Sequence, residues 1–332
     1  MKILAVLLMF LGLSSLAQAN VFSLGSGLTN LELVDVSDLG NSADVTGHGA
    51  VNYAYRIGKY EVTVAQYVDF LNAKASQDLY GLWDSKMADT TTWGARGCNI
   101  QRSVFSGRYV YTIGTGSASD LANWGNRPVN YVSRWDACRF VNWLGNGQGS
   151  GDTETGAYEM NGYMGTNYYA VQRNAQWTWA LASEDEWYKA AYYKGGINAG
   201  YWAYPTQSDS VPRWEHINPD PGNSANYYGS DDQIVAPYWR TNVGEFENSP
   251  SAYGTYDQGG NVWEWTDTGV YYGGASSRGS GWMLSSMRYS YTPCYGYESG
   301  GFRVVTVIPE PSQIITIMSG MAGFIGFRRR RN

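Results

Sequence analysis

Charge is scarce in this sequence. Asp, Glu, Lys and Arg make up 16% of 332 residues, and the acidic residues outnumber the basic ones 29 to 23, giving a net charge of −6 and a pI near 5.0. The only strong basic cluster lies at the C-terminal end, so the body carries no electrostatic footprint for nucleic acid. Cysteine is scarce too: Cys98, Cys138 and Cys294 could form one disulfide in an oxidising compartment and leave one thiol free, with the pairing open. Long apolar runs are absent, because the two that exist, 3–16 and 314–327, are both shorter than the roughly 20 residues a membrane span needs. No internal repeat and no linker divides the body, and residues 73–126 and 145–176 lack any sustained period, which predicts insertions or long ordered loops.

Aromatic residues and glycine are abundant instead. The chain holds 28 Tyr, 14 Trp and 41 Gly, too aromatic for disorder and too glycine-rich to be mainly helical. A globular domain of short elements and well-packed loops is the expectation.

Both ends read as processing signals. Met1-Lys2, the apolar run 3–16 and Ala17-Gln18-Ala19 have the charge, length and small-x-small site of a secretory signal peptide over residues 1–19. At the other end Pro309-Glu310-Pro311 precedes the apolar stretch 314–327 and Arg328-Arg329-Arg330-Arg331; the arginines hold that end in the cytoplasm and leave residues 20–308 outside. This order resembles the PEP-CTERM sorting signal of Gram-negative bacteria that carry an exosortase. The resemblance implies signal peptidase and exosortase as processing partners and a transient membrane anchor over 309–332. It also implies a final place on the outer surface or in extracellular matrix. A permanent single-pass anchor is the other reading, disfavoured because only 16 residues separate Pro311 from Arg328.

Within the body three helix starts are legible. Strand-like alternation over 55–62 leads to Thr63 with Gln66, a capping box, followed by Val64, Tyr67, Val68 and Leu71 on one face. Ser133 with Asp136 precedes the stripe Ala137, Phe140, Val141, Leu144. Ser183 with Glu186 starts a third helix that turns Trp187, Ala190 and Ala191 inward and ends at Gly195-Gly196.

Four blocks in order then carry a family resemblance. They are Tyr60-Glu61-Val62-Thr63 with Tyr67 and Phe70; Arg127-Pro128-Val129-Asn130-Tyr131-Val132-Ser133 with Asp136-Ala137 and Trp143-Leu144; Leu181-Ala182-Ser183-Glu184-Asp185-Glu186-Trp187; and Tyr256-Asp257-Gln258-Gly259-Gly260-Asn261-Val262-Trp263-Glu264-Trp265. Gly301-Phe302-Arg303-Val304 stands where a final strand belongs. The set resembles the formylglycine-generating-enzyme, or sulfatase-modifying-factor, family from about residue 50 to 306. The resemblance implies one α+β domain of the C-type-lectin-like kind, with short helices, small antiparallel sheets and long loops.

It also implies where chemistry would sit. The family's oxidases bind copper through two cysteines after a Gly-Gly-Ser turn, thiolates being suited to a soft redox metal. Counting from Gly279-Ser280 puts Leu284 and Tyr289 at those positions, so copper is not expected. Cys294 lies five residues beyond Tyr289, and Met283 and Met287, possible thioether ligands, read better as packing residues. Relatives that make sulfur–carbon bonds use histidine-bound iron, whereas this chain has only His48 and His216. Calcium is the implied cofactor, at a second family site transferred to Asp257, Gly260, Val262 and Glu264; a first site falls near Asn226 and Tyr227 with Asp231 or Asp232. Asp257 and Glu264 also admit a reading as a catalytic carboxylate pair. Trp263 lines the substrate groove in family oxidases, and with Trp282, Leu284 and Tyr289 it makes the expected ligand groove; Tyr291, Tyr295 and Tyr297 crowd the same region, a composition suited to stacking on a glycan or peptide ligand. The expectation is a calcium-stabilised ligand-binding module without oxidase activity. The alternatives are a divergent family enzyme acting on peptides or proteins, and plain matrix material.

Overall fold

Each helix starts where a short polar side chain closes on the backbone three residues ahead. In the computed structural model, which describes residues 30–91, 96–114, 124–196, 199–229 and 238–308, Thr63 and Gln66 exchange main-chain bonds at the start of α1, Val64–Lys74. Ser133 and Asp136 do the same for α2, Arg134–Gly145, and Ser183 and Glu186 for α3, Glu184–Tyr192. Each box satisfies otherwise orphaned donors of a first turn. α3 stops at Tyr192, before the expected Gly195-Gly196, whose positive φ angles of 77° and 79° turn the chain just beyond.

Among the described residues the strands form three sheets. In the first, β1 (Leu33–Val36), β2 (Tyr55–Gly58), β10 (Val304–Val307) and β5 (Trp179–Leu181) pair antiparallel in that order, joining the two ends of the described body. The second is the hairpin β3 (Ile100–Phe105) and β4 (Arg108–Ile113), inside a stretch read from sequence as loop. Its signal is Ser106-Gly107, both at positive φ (50° and 75°), between residues of strand propensity. The third runs β8 (Tyr289–Ser290), β7 (Val270–Tyr272), β6 (Trp263–Trp265), β9 (Gly300–Gly301). Its β6–β9 pair is parallel, while β6–β7 and β7–β8 are antiparallel, in keeping with the small antiparallel sheets expected.

Aromatic rings fill the interior. Tyr67, Phe70, Phe140, Trp143 and Phe302 pack together between α1, α2 and the final strand, with centroids 5.2–6.2 Å apart and ring planes from stacked to edge to face. Trp187 of α3 stacks on Tyr272 of β7 at 5.2 Å. Such pairs add roughly 0.5–1.5 kcal/mol each beyond the area they bury. Three free thiols complete the inventory: Cys98 and Cys138 are buried and Cys294 is half-buried, so the disulfide that the sequence allowed is not formed. Among the described residues no helix is long and apolar enough to cross a membrane; the expected signal peptide and sorting tail lie outside them.

Candidate functional site

The third sheet sets a continuous run of rings along one side of the molecule. Trp265 stacks on Tyr271 at 3.8 Å, Tyr271 meets Tyr291 at 5.3 Å, and Tyr291 lies 4.1 Å from Tyr297. A second branch passes from Trp263 to Trp282 (5.7 Å), Tyr289 (5.9 Å) and back to Tyr291 (4.7 Å). β8 places Tyr289 at the edge of the sheet, 43% exposed, while Trp263 on β6 is 3% exposed and serves as floor. Beside Trp263 opens a cavity of about 220 Å³ lined by Trp263, Arg278, Tyr291, Tyr297, Glu298 and Ser299. Three of the four expected groove residues, Trp263, Trp282 and Tyr289, are thus brought together.

Leu284 is not part of the groove. It packs against a separate small cluster of Tyr204, Ala225, Tyr227 and Met283. Met283 is fully buried there, consistent with packing. The sequence reading missed Tyr271, which anchors the ring ladder; its place on a strand opposite β6 was not visible from local pattern.

The Asp257–Glu264 block turns sharply before entering β6, with Asp257, Gly260 and Asn261 at φ of 59°, 89° and 51°. A Cβ at Gly260 would stand 2.3 Å from the Asn226 carbonyl oxygen, so only glycine admits this approach. The side-chain amide of Asn226 donates to the Asn261 carboxamide oxygen at 2.9 Å, which fastens the two expected calcium regions to one another. The Tyr227 hydroxyl donates to the Pro212 carbonyl at 2.7 Å. Asp231 and Asp232 lie outside the described residues.

Glu264 points to a different cation. Arg303 donates to both its carboxylate oxygens, each at 2.6 Å, and the Trp187 indole adds a bond of 2.7 Å, all with no exposed surface on either charged side chain. In this arrangement Glu264 does not fit a calcium ligand. Two neighbouring carboxyls form no ion pair. Asp257, buried, accepts from the Gly244 amide at 2.6 Å, and burial pushes its carboxyl up to about 7. Glu61 is 1% exposed and neither of its oxygens has a hydrogen-bond partner; burial, then the Asp257 charge, pushes its pKa well above the ordinary value. Burial opposes charge on Arg303 as well, but Glu264 beside it holds the guanidinium charged. Three carboxyls against one guanidinium leave two surplus negative charges in a dry interior, which two protons or one divalent cation would neutralise. Among the described residues no three Asp, Glu, His or Cys converge closely enough to hold a metal by side chains alone. Glu61 could not be singled out from sequence, because being orphaned is a property of packing.

Comparison with known proteins follows the same lines. The model of the sulfatase-modifying factor enzyme 1-like domain matches residues 36–308. Treponema denticola variable protein 1 is similar in structure, with a TM-score of 0.50, 17% identity, and 84% of this chain and 96% of that one covered. CarF (TM-score 0.47, 21% identity, 84% and 99% covered) and PvdO from Pseudomonas aeruginosa (0.47, 19%, 86% and 96%) also match. At 17% identity the likeness to the Treponema denticola protein concerns fold. No curated protein matches the chain in sequence.

Proposed function

The chain belongs to the sulfatase-modifying factor enzyme 1-like domain family, and from that premise we propose that it is an exported ligand-binding module of the bacterial cell surface or matrix rather than a copper oxidase. The observation that carries this reading is the ring ladder ending on exposed Tyr289 beside an open cavity, in the region where the family's oxidases carry their cysteines. Leu284 and Tyr289 cannot act as thiolates, while faces of Trp282, Tyr289 and Tyr291 suit a sugar ring or a peptide side chain. Signal peptidase and exosortase would process the ends. Calcium belongs to the proposal as a scaffold ion of the Asp257 loop, held by Asp257 with main-chain oxygens of Gly260 and Val262; the two carboxyls left without a cation once Arg303 pairs Glu264, those of Glu61 and Asp257, support it.

The test is metal analysis of the purified protein combined with turnover on a cysteine-containing sulfatase peptide. No copper and no turnover is expected. Stoichiometric copper with formation of the aldehyde product would overturn the reading in favour of a divergent family enzyme.

A further inference from the structure

The groove does not end at Tyr297. That ring borders the cavity beside Trp263 and also a second one of about 340 Å³, which lies between the first turns of α2 and the loops carrying Tyr80 to Lys86 and Cys294 to Tyr297. The size falls at the lower end of small-ligand sites, which run from roughly 300 to 1,000 Å³.

Its floor is polar and incompletely satisfied. Arg139 has no exposed surface; its Nε and Nη2 reach Glu154 at 2.7 and 3.2 Å, its plane lies 4.2 Å from the Tyr80 ring centre, and its Nη1 has no partner. An unmet buried donor of this kind is costly, more so when charged, so the site holds a place for an acceptor. Asp136 beside it is 6% exposed and receives both Ser133 bonds on Oδ2 alone.

The remaining lining selects the ligand class. Asp84 and Asp136 oppose Lys86 and Arg139, and Arg139 is already paired with Glu154. An anion would face the carboxylates, a cation would face Lys86 and Arg139, and an apolar molecule would leave all of them unpaired. A neutral polyhydroxylated ring meets each: hydroxyls accept from Arg139 and Lys86 and donate to Asp136 and Asp84, and its C–H face lies on Tyr80 or Tyr295.

We propose that the two cavities on either side of Tyr297 are successive subsites for one neutral oligosaccharide, with the pocket over Arg139 and Asp136 taking the ring beyond the aromatic groove. This rests on the ligand-binding reading of the groove, and its test separates the two. Cys294, half-buried in the pocket wall, reports occupancy, since Cys98 and Cys138 are fully buried.

The experiment measures binding of short and long neutral oligosaccharides of glucose, mannose and galactose to the full exported chain by calorimetry, together with the rate of Cys294 alkylation by iodoacetamide. The variants are Trp282→Ala in the groove and Lys86→Ala/Tyr295→Ala in the pocket; Lys86 and Tyr295 are exposed, so folding is spared. The expected result is that each variant weakens the longer oligosaccharide about tenfold, which corresponds to ~1.4 kcal/mol, and that the ligand slows alkylation several-fold. Binding lost in Trp282→Ala but unchanged in Lys86→Ala/Tyr295→Ala, with alkylation unaffected, would overturn the second subsite and leave the groove standing. Absence of any neutral-glycan binding, or binding of charged glycans alone, would overturn the proposal outright.

Discussion

At the scale of single residues, the most consequential pair is Arg303 with Glu264. Both side chains have no exposed surface, and the guanidinium also donates to the carbonyls of Gly58 at 2.9 Å and Tyr256 at 2.9 Å, so one residue ties the final strand to β2 and to the turn before β6. Replacing one partner of such a pair strands the other charge, typically at a cost of about 3–5 kcal/mol. Arg303→Met is therefore expected to lower the unfolding free energy by that amount in urea titration. Adding Glu264→Gln should recover part of it, since the stranded carboxylate is gone. A loss under 1 kcal/mol in the single variant would mean that the surrounding carboxyls simply take up protons and that Arg303 is not the organising charge. Arg303 was visible in the sequence only as part of a Gly-Phe-Arg-Val block; its partner could not be read from spacing, because 39 residues separate the two.

At the scale of elements, what could be read locally was read well. The three capping boxes are i to i+3 patterns, and α1, α2 and α3 begin where they predict. α3 gives the test. Ser183→Ala removes a cap worth about 1 kcal/mol, whereas Glu186→Gln should cost more. Glu186 receives Arg173 at 2.8 Å and Tyr53 at 2.5 Å besides closing the box, and it has no exposed side-chain surface. The ranking, measured as midpoint shifts in denaturant, is reversed only if the cap dominates. Elements that depend on distant partners were illegible. The β3–β4 hairpin was hidden in a Gly- and Thr-rich stretch whose sole cue is Ser106-Gly107. The first sheet pairs residues 33–36 with 55–58 and those with 305–307, an association no local period encodes. The groove followed the same division. Block order and aromatic density point to Trp263, Trp282 and Tyr289, whose rings the fold brings together, while the packing of Leu284 against the Tyr204 and Tyr227 cluster is not legible from sequence.

At the scale of the whole molecule, the buried carboxyls decide how stability follows pH. Burial raises Asp136, Asp257 and Asp267 to about 7, and pushes Glu61 well above its ordinary value. A carboxyl that is easier to protonate folded than unfolded binds more protons in the native state, so its contribution is fully present below the unfolded pKa near 4 and is lost as pH rises through the folded value. Metal-free protein should therefore have a lower Tm at pH 8 than at pH 5, the reverse of a domain held by paired carboxylates. Calcium on the Asp257 loop changes that sign for two of the four groups: a bound divalent cation holds Asp257 and Glu61 ionised, so their share becomes one gained as pH rises. Added calcium should then raise Tm more at pH 8 than at pH 5, and a hundredfold excess over Kd would stabilise by about 2.7 kcal/mol. Calorimetric scans at both pH values, with calcium and with a chelator, separate the two ways of neutralising the surplus charge. Curves that fall with pH and ignore calcium would remove calcium from the proposal and leave protons as the neutralising species, because the interior cannot carry both excess charges bare.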